Sequence, residues 1–188
     1  MHSPIRDTPT RDAPLEEAQQ RLTSRPDDDE TRARLAERVG EVARRQHLTV
    51  AVAESLTGGM ISTELAAAGG SSDWFLGGLV AYASAVKHAV LDVPEGPVVN
   101  APAAGAMARG VRRLLRADVG LAVTGAAGPD GQDGQEPGTV FVAFTSGDQH
   151  RELRLQLDGE PPAVCRGTTA AALRMLVECL EARGAGRS

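Results

Sequence analysis

The chain has 188 residues, a formal net charge of −5, 41% hydrophobic residues and only 3% aromatic ones. That is enough for one domain plus a tail, with a core built from Ala, Val and Leu. The acidic balance, the scarcity of aromatics to stack on bases and the lack of a basic stripe argue against a general nucleic-acid binder, while leaving room for a local cationic pocket for one anionic metabolite. No apolar run approaches the roughly 20 residues of a membrane span, and the opening segment is polar, so no secretory or membrane segment is expected. Cys165 and Cys179 lack metal-site spacing, which suits reduced thiols and a cytoplasmic protein.

Residues 1–29 carry many charges, several Pro and Thr, and little that can pack. The stretch reads as a disordered tail with a short helix around 15–22. From Glu30, Leu35, Val39, Val42 and Ala43 recur at helical spacing, predicting a helix of about 16 residues that ends near Gln46 and His47. The acidic run 27–30 stands at its dipole-favoured end. Residues 48–53 form a β-branched run, a buried strand. Residues 54–59 make a turn and 60–68 a small-residue helix.

A loop at 69–72 precedes two apolar pieces, 74–76 and 79–82, the second a strand. Residues 85–91 suggest a short helix and 94–97 a turn. Asn100 reads as an N-cap, with Pro102 in the first turn of a helix through Leu115. Residues 119–123 are another buried strand, followed by a glycine-rich turn at 124–129 and a polar loop at 130–137. Two antiparallel strands follow at 138–146 and 150–157, joined at Gly147 and Asp148; the second alternates as a strand with one wet face does. A last helix spans 163–182, with Gly184 as its stop. This order implies a three-layer α/β/α sandwich over a mixed sheet, with the domain at 30–184.

Ligands of such sheets settle at the carboxyl ends of strands, where both glycine-rich turns lie. In Ala53-Glu54-Ser55-Leu56-Thr57-Gly58-Gly59 a strand gives way to a helix whose first N–H groups are expected to face an anion. Ser55 and Thr57 offer hydroxyls, one of them a nucleophile; the alternative is that they merely cap the helix. Thr124-Gly125-Ala126-Ala127-Gly128-Pro129 repeats the pattern. Lys87 is the only lysine of the chain. Arginine does not give up its proton, so a serine–lysine arrangement would have to use Lys87 as its base. The alternative is an ordinary surface side chain. His2, His47, His88 and His150 show no metal-ligand spacing, and neither metal nor cofactor is expected.

Taken in order, Ala-Glu-Ser-x-Thr-Gly-Gly, Gly-Ser-Ser-x-Trp-Phe, Val-x-Tyr with Lys five residues beyond, Thr-Gly-x-Ala-Gly-Pro and Gly-Thr-Val resemble the CinA C-terminal domain family over roughly residues 32–182. That family includes the nicotinamide mononucleotide deamidase. The resemblance implies hydrolysis of the carboxamide of nicotinamide mononucleotide, with release of ammonia, in pyridine-nucleotide recycling, by a Ser-Lys dyad. It places Lys87 as the base with Tyr82 nearby, and either Ser55 or Ser72 as nucleophile. If Ser72 attacks, Thr57, Gly58 and Gly59 are free to hold the phosphate; Thr124 and Gly125 line the second turn.

Where the family has Cys the chain has Leu56, and Asp158-Gly159-Glu160-Pro161 stands in place of Pro-Gly-Asp-Arg, leaving Arg166 as the replacement cation. The expected partner is a small nucleotide, with no nucleic acid or membrane, and with self-association as seen in many relatives. The alternatives are a non-catalytic nucleotide- or partner-binding relative, associated with stress or competence, and an amidase for another substrate.

Overall fold

The computed structural model describes residues 17, 19, 20, 22, 23 and 27–185. Helix α1, Asp29–Arg45, starts where the Asp28 carboxylate accepts the Thr31 N–H at 2.7 Å. Asp29 and Glu30 lie at its positive end, Arg44 and Arg45 at its negative end. Strand β1, Val50–Glu54, leads through the Ser55–Gly59 turn into α2, Met60–Ala67. A single 3₁₀ turn, Ser71–Asp73, precedes β2, Phe75–Val80, and α3, Ser84–Leu91. Helix α4, Ala101–Leu115, has Asn100 as its cap, accepting from the Ala103 N–H at 2.8 Å. Strands β3, Val119–Gly125, β4, Thr139–Ser146, and β5, Gln149–Gln156, lead to α5, Pro161–Ala185.

The strands lie in the order β2-β1-β3-β4-β5; the first three are mutually parallel, and β4 runs antiparallel to both of its neighbours, β3 and β5. Side-chain alternation along β1 sends Val50 and Val52 to one face, Ala51 and Ala53 to the other. The first face packs large residues of α1, α2 and α5, including Val39, Leu65, Leu173 and Leu176. The second packs α3 and α4 through small ones. Helix α4 comes so close that a Cβ on Gly120 would lie 2.2 Å from the Ala108 carbonyl oxygen, and one on Gly110 would lie 2.3 Å from that of Leu91. The expected α/β/α sandwich over a mixed sheet is therefore present.

Four expectations are corrected. The pieces 74–76 and 79–82 are one strand, because Gly77 and Gly78 continue the pairing with β1, and Tyr82 lies beyond its end. Gly184 does not stop the last helix, which runs through it to Ala185. The stretch through residue 29 is not wholly a tail: Asp29 opens α1, and the short helix expected around 15–22 is present at Glu17, Gln19, Gln20, Leu22 and Thr23. Leu22 is fully buried in the core of α1 and α5, and its carbonyl accepts from Arg174 at 2.7 Å. Residues 1–16, where most of the proposed tail falls, lie outside the described residues. Finally, α4 carries an arginine stripe where none was read, at Arg109, Arg112, Arg113 and Arg116.

Candidate functional site

Strands β1, β2 and β3 run parallel, so their carboxyl ends share one edge of the sheet. Three chain segments meet there: the turn after Glu54, the segment after Val80, and the turn after Gly125. The first two are tied directly, since the Ala81 N–H donates to the Glu54 carbonyl at 2.7 Å.

Glu54 organises the first turn. Its side chain is fully buried, and one carboxylate oxygen accepts the Thr57 hydroxyl at 2.7 Å and the amides of Gly59 and Ile61 at 3.1 Å each. The other oxygen accepts the Ser62 amide at 2.8 Å and the Ser62 hydroxyl at 2.6 Å. An acceptor-only group thus meets five donors, including the first amides of α2, at the positive end of the helix dipole. Gly58 and Gly59, at φ 59° and 105°, give the backbone the left-handed conformations this wrapping requires.

This corrects the reading of Thr57, Gly58 and Gly59 as a phosphate cradle. The Thr57 hydroxyl and the Gly59 amide are spent on Glu54, and the Gly58 amide donates to the Ser55 carbonyl at 3.1 Å. The anion at this helix N-terminus is the protein's own. By contrast, among the described residues no partner takes the Ser55 hydroxyl or the amides of Leu56 and Thr57.

Lys87 lies on α3 and is 1% exposed. Its ammonium donates to the Tyr82 carbonyl at 2.9 Å, holding the side chain back along the segment that leaves β2. Burial pushes its pKa below the ordinary lysine value, while the negative charge of Asp133 works in the opposite direction. Asp133, at φ 54°, comes from the 130–137 loop and accepts the amides of Val98 and Val99 at 2.6 and 2.9 Å. Thr124 is buried and donates its hydroxyl to the Val98 carbonyl at 2.9 Å. One short segment before α4 is thus clamped from two sides.

The structure brings Ser55, Lys87 and Thr124 to one sheet edge. It does not bring Ser72 there. Ser72 lies in the 3₁₀ turn before β2, so the six residues of that strand, roughly 20 Å, separate it from the segment that carries Lys87. The Ser72 side chain is exposed, with only Asp73 near it at 3.5 Å. Tyr82 contributes its carbonyl; its side chain is 74% exposed. Gly125 passes β4 tightly, a Cβ there lying 2.7 Å from the Thr139 carbonyl oxygen. Arg166 is exposed on α5, beside Cys165, whose thiol donates to the Leu56 carbonyl at 3.1 Å. Among the described residues no group of three or more His, Cys, Asp or Glu could hold a metal ion.

Two organising residues were not singled out in the sequence. Glu54 could have been, as a carboxylate between a buried strand and a helix start. Asp133 gives no signal, being one acid in an aperiodic loop.

The model of the CinA C-terminal domain matches residues 32–180. The chain belongs to that family. It is 42% identical over 152 residues to a relative from Desulforamulus reducens named competence-damage inducible protein, covering 77% of this chain and 36% of the relative. A relative of the same name from Desulforudis audaxviator is 44% identical over 144 residues, covering 73% and 35%. The chain therefore spans about a third of the length of these relatives.

Among solved structures, a CinA superfamily protein from Escherichia coli superposes with a TM-score of 0.78 at 27% identity, covering 81% of this chain and 92% of that one. One from Enterobacter cloacae gives 0.77 at 30% identity, covering 79% and 92%. Membership in the CinA family agrees with the mixed five-stranded sheet and its two helical layers. No described helix is long and apolar enough to cross a membrane.

Proposed function

We propose that this CinA-family domain hydrolyses the carboxamide of nicotinamide mononucleotide, giving nicotinate mononucleotide and ammonia, with Ser55 as nucleophile and Lys87 as its base. One observation carries the reading: the chain's only lysine is buried beside the strand end that bears Ser55. A lysine desolvated in this way gives up its proton more readily than one in water, which a base for a serine hydroxyl requires.

In this scheme Lys87 takes the Ser55 proton as Oγ bonds to the amide carbon. The unpartnered amides of Leu56 and Thr57 are the donors available for the oxyanion. Collapse expels ammonia with the proton returned by Lys87, and water then cleaves the acyl ester by the same route. Arg166, next to the residue that contacts Leu56, is the cation offered to the substrate phosphate. Glu54 and Asp133 position the turn and the clamped segment without touching substrate.

The test is ammonia release from nicotinamide mononucleotide by the purified protein. Ser55→Ala and Lys87→Ala are expected to lose the activity, while Ser72→Ala keeps it. Wild-type release no greater than that of Lys87→Ala would overturn the amidase reading in favour of a binding role. Loss in Ser72→Ala with retention in Ser55→Ala would overturn the choice of nucleophile.

A further inference from the structure

Helix α4 carries a second cationic feature at the opposite end of the sheet. Arg109, Arg112, Arg113 and Arg116 fall at i, i+3, i+4 and i+7, one stripe of the helix, and with Ala117 they line a groove of about 450 Å³. Ala117 and Asp118 lead directly into the amino end of β3, and Asp118 accepts from Thr49 at the amino end of β1. The groove begins at Arg109, about 12 Å along α4 from Ala101, and extends to the helix end farthest from the Lys87 edge.

Four guanidiniums on one stripe repel one another. The helix dipole favours cations in its last turn, but Arg109 stands well before that turn. Local carboxylates balance the set only in part: the Glu152 carboxylate of β5 and the Arg109 guanidinium both approach Gly105 without closing an ion pair. Asp92 pairs with Arg113, and Asp118, near Arg112, is already held by the Thr49 amide and hydroxyl. Arg112 Nε is buried without a hydrogen-bond partner, and among the described residues Arg109 and Arg116 form no ion pair. Arg116 also occupies the left-handed position that ends α4, at φ 55°, where glycine fits better. A charged side chain is thus kept where the backbone disfavours it, in a chain whose net charge is −5.

We infer that this groove binds a compact ligand bearing two or more phosphate groups. Guanidinium forks match phosphate oxygens in pairs, and a stripe of four suits more than one phosphate. The volume is that of a small-molecule site. No aromatic residue lines it to stack on successive bases, as a single-stranded nucleic-acid groove would use. The inference is independent of the chemistry assigned to Ser55 and Lys87.

The experiment is titration calorimetry of the full chain with inorganic tripolyphosphate and, separately, with a short single-stranded oligonucleotide. Wild type is expected to bind tripolyphosphate saturably, with affinity that falls as salt rises. Arg112→Gln combined with Arg116→Gly is expected to weaken that binding at least about tenfold, the loss of charge-assisted hydrogen bonds. Arg116→Gly alone is expected to raise the melting temperature while weakening binding, so misfolding cannot mimic the result. Binding that is absent at low salt, or undiminished in the double variant, would overturn the inference. So would capture of the oligonucleotide without tripolyphosphate, which would make the stripe a nucleic-acid contact.

Discussion

Ser62 gives both its backbone N–H and its hydroxyl to one carboxylate oxygen of Glu54, at 2.8 and 2.6 Å. The side chain that closes β1 therefore caps α2, and the turn bearing Ser55 is held between them. Room for the Ser62 hydroxyl comes from Gly78 on β2, where a Cβ would lie 1.8 Å from Ser62 Oγ.

Glu54→Gln replaces an acceptor-only group with one that presents two donors to a ring of donors. It is expected to lower unfolding stability by about 2–4 kcal/mol, and Ser62→Ala by about 1–3 kcal/mol. Urea unfolding measures both; a Glu54→Gln loss below that of Ser62→Ala would contradict the central place given to the carboxylate.

Lys87→Met keeps the length of a buried side chain and removes its ammonium. Burial lowers the Lys87 pKa from its ordinary 10.5 in the folded chain. The unfolded chain then binds more protons between the two values, so wild-type stability rises with pH in that window. The methionine variant is therefore expected to melt higher than wild type at neutral pH, with an advantage that shrinks towards pH 10. The ammonia release proposed for the domain is expected to fall about 10²–10⁴-fold in the variant. Thermal melts across pH and ammonia release measure the two effects.

Asp133 opposes the desolvation of Lys87. Asp133→Asn keeps an acceptor for the Val98 and Val99 amides but removes the charge. The Lys87 pKa is expected to fall further, so the acid limb of the kcat/KM profile should move to lower pH. A shift to higher pH, or none, would remove Asp133 from the electrostatics of the site.

Leu22→Ala tests the N-terminal segment. A fully buried leucine in the α1–α5 core is expected to cost about 2–4 kcal/mol when truncated, whereas a leucine on a free tail costs nothing measurable. Denaturant midpoints at constant slope distinguish the two.

Much of this architecture was legible because periodicity reports burial. Strands β1 and β3 are buried on both faces and read as unbroken apolar runs, and Asn100 announced α4 through its cap. Strand β2 split in the reading because Gly77 and Gly78 have no side chains with which to show alternation, although their backbones pair with Ala51 and Val52 just past a register shift at Leu76. Gly184 looked like a stop, yet one glycine near a helix end carries only a weak penalty that the packing of α5 overrides. The residue types of the site were visible, but their partners were not. Nothing in the order of residues says that the α2 amides face Glu54, or that an aspartate 46 positions after Lys87 returns beside it. The separation of Ser55 from Ser72 also needed strand direction: Ser72 precedes β2, whereas Ser55 follows β1, whose carboxyl end lies beside that of β2.

The two faces of the sheet differ in how much sequence change they can absorb. Where α1, α2 and α5 meet the sheet, contacts run between branched side chains, and a lost methyl can be regained by a neighbour. Where α4 lies on β3 and on the end of α3, carbonyl oxygens sit where a Cβ of Gly120 or Gly110 would be, so even a methyl group displaces main chain. A library randomised on the first face should return many folded solutions; on the second, variants that keep these glycines should dominate. Descendants of this chain would drift on one side of the sheet and stand still on the other.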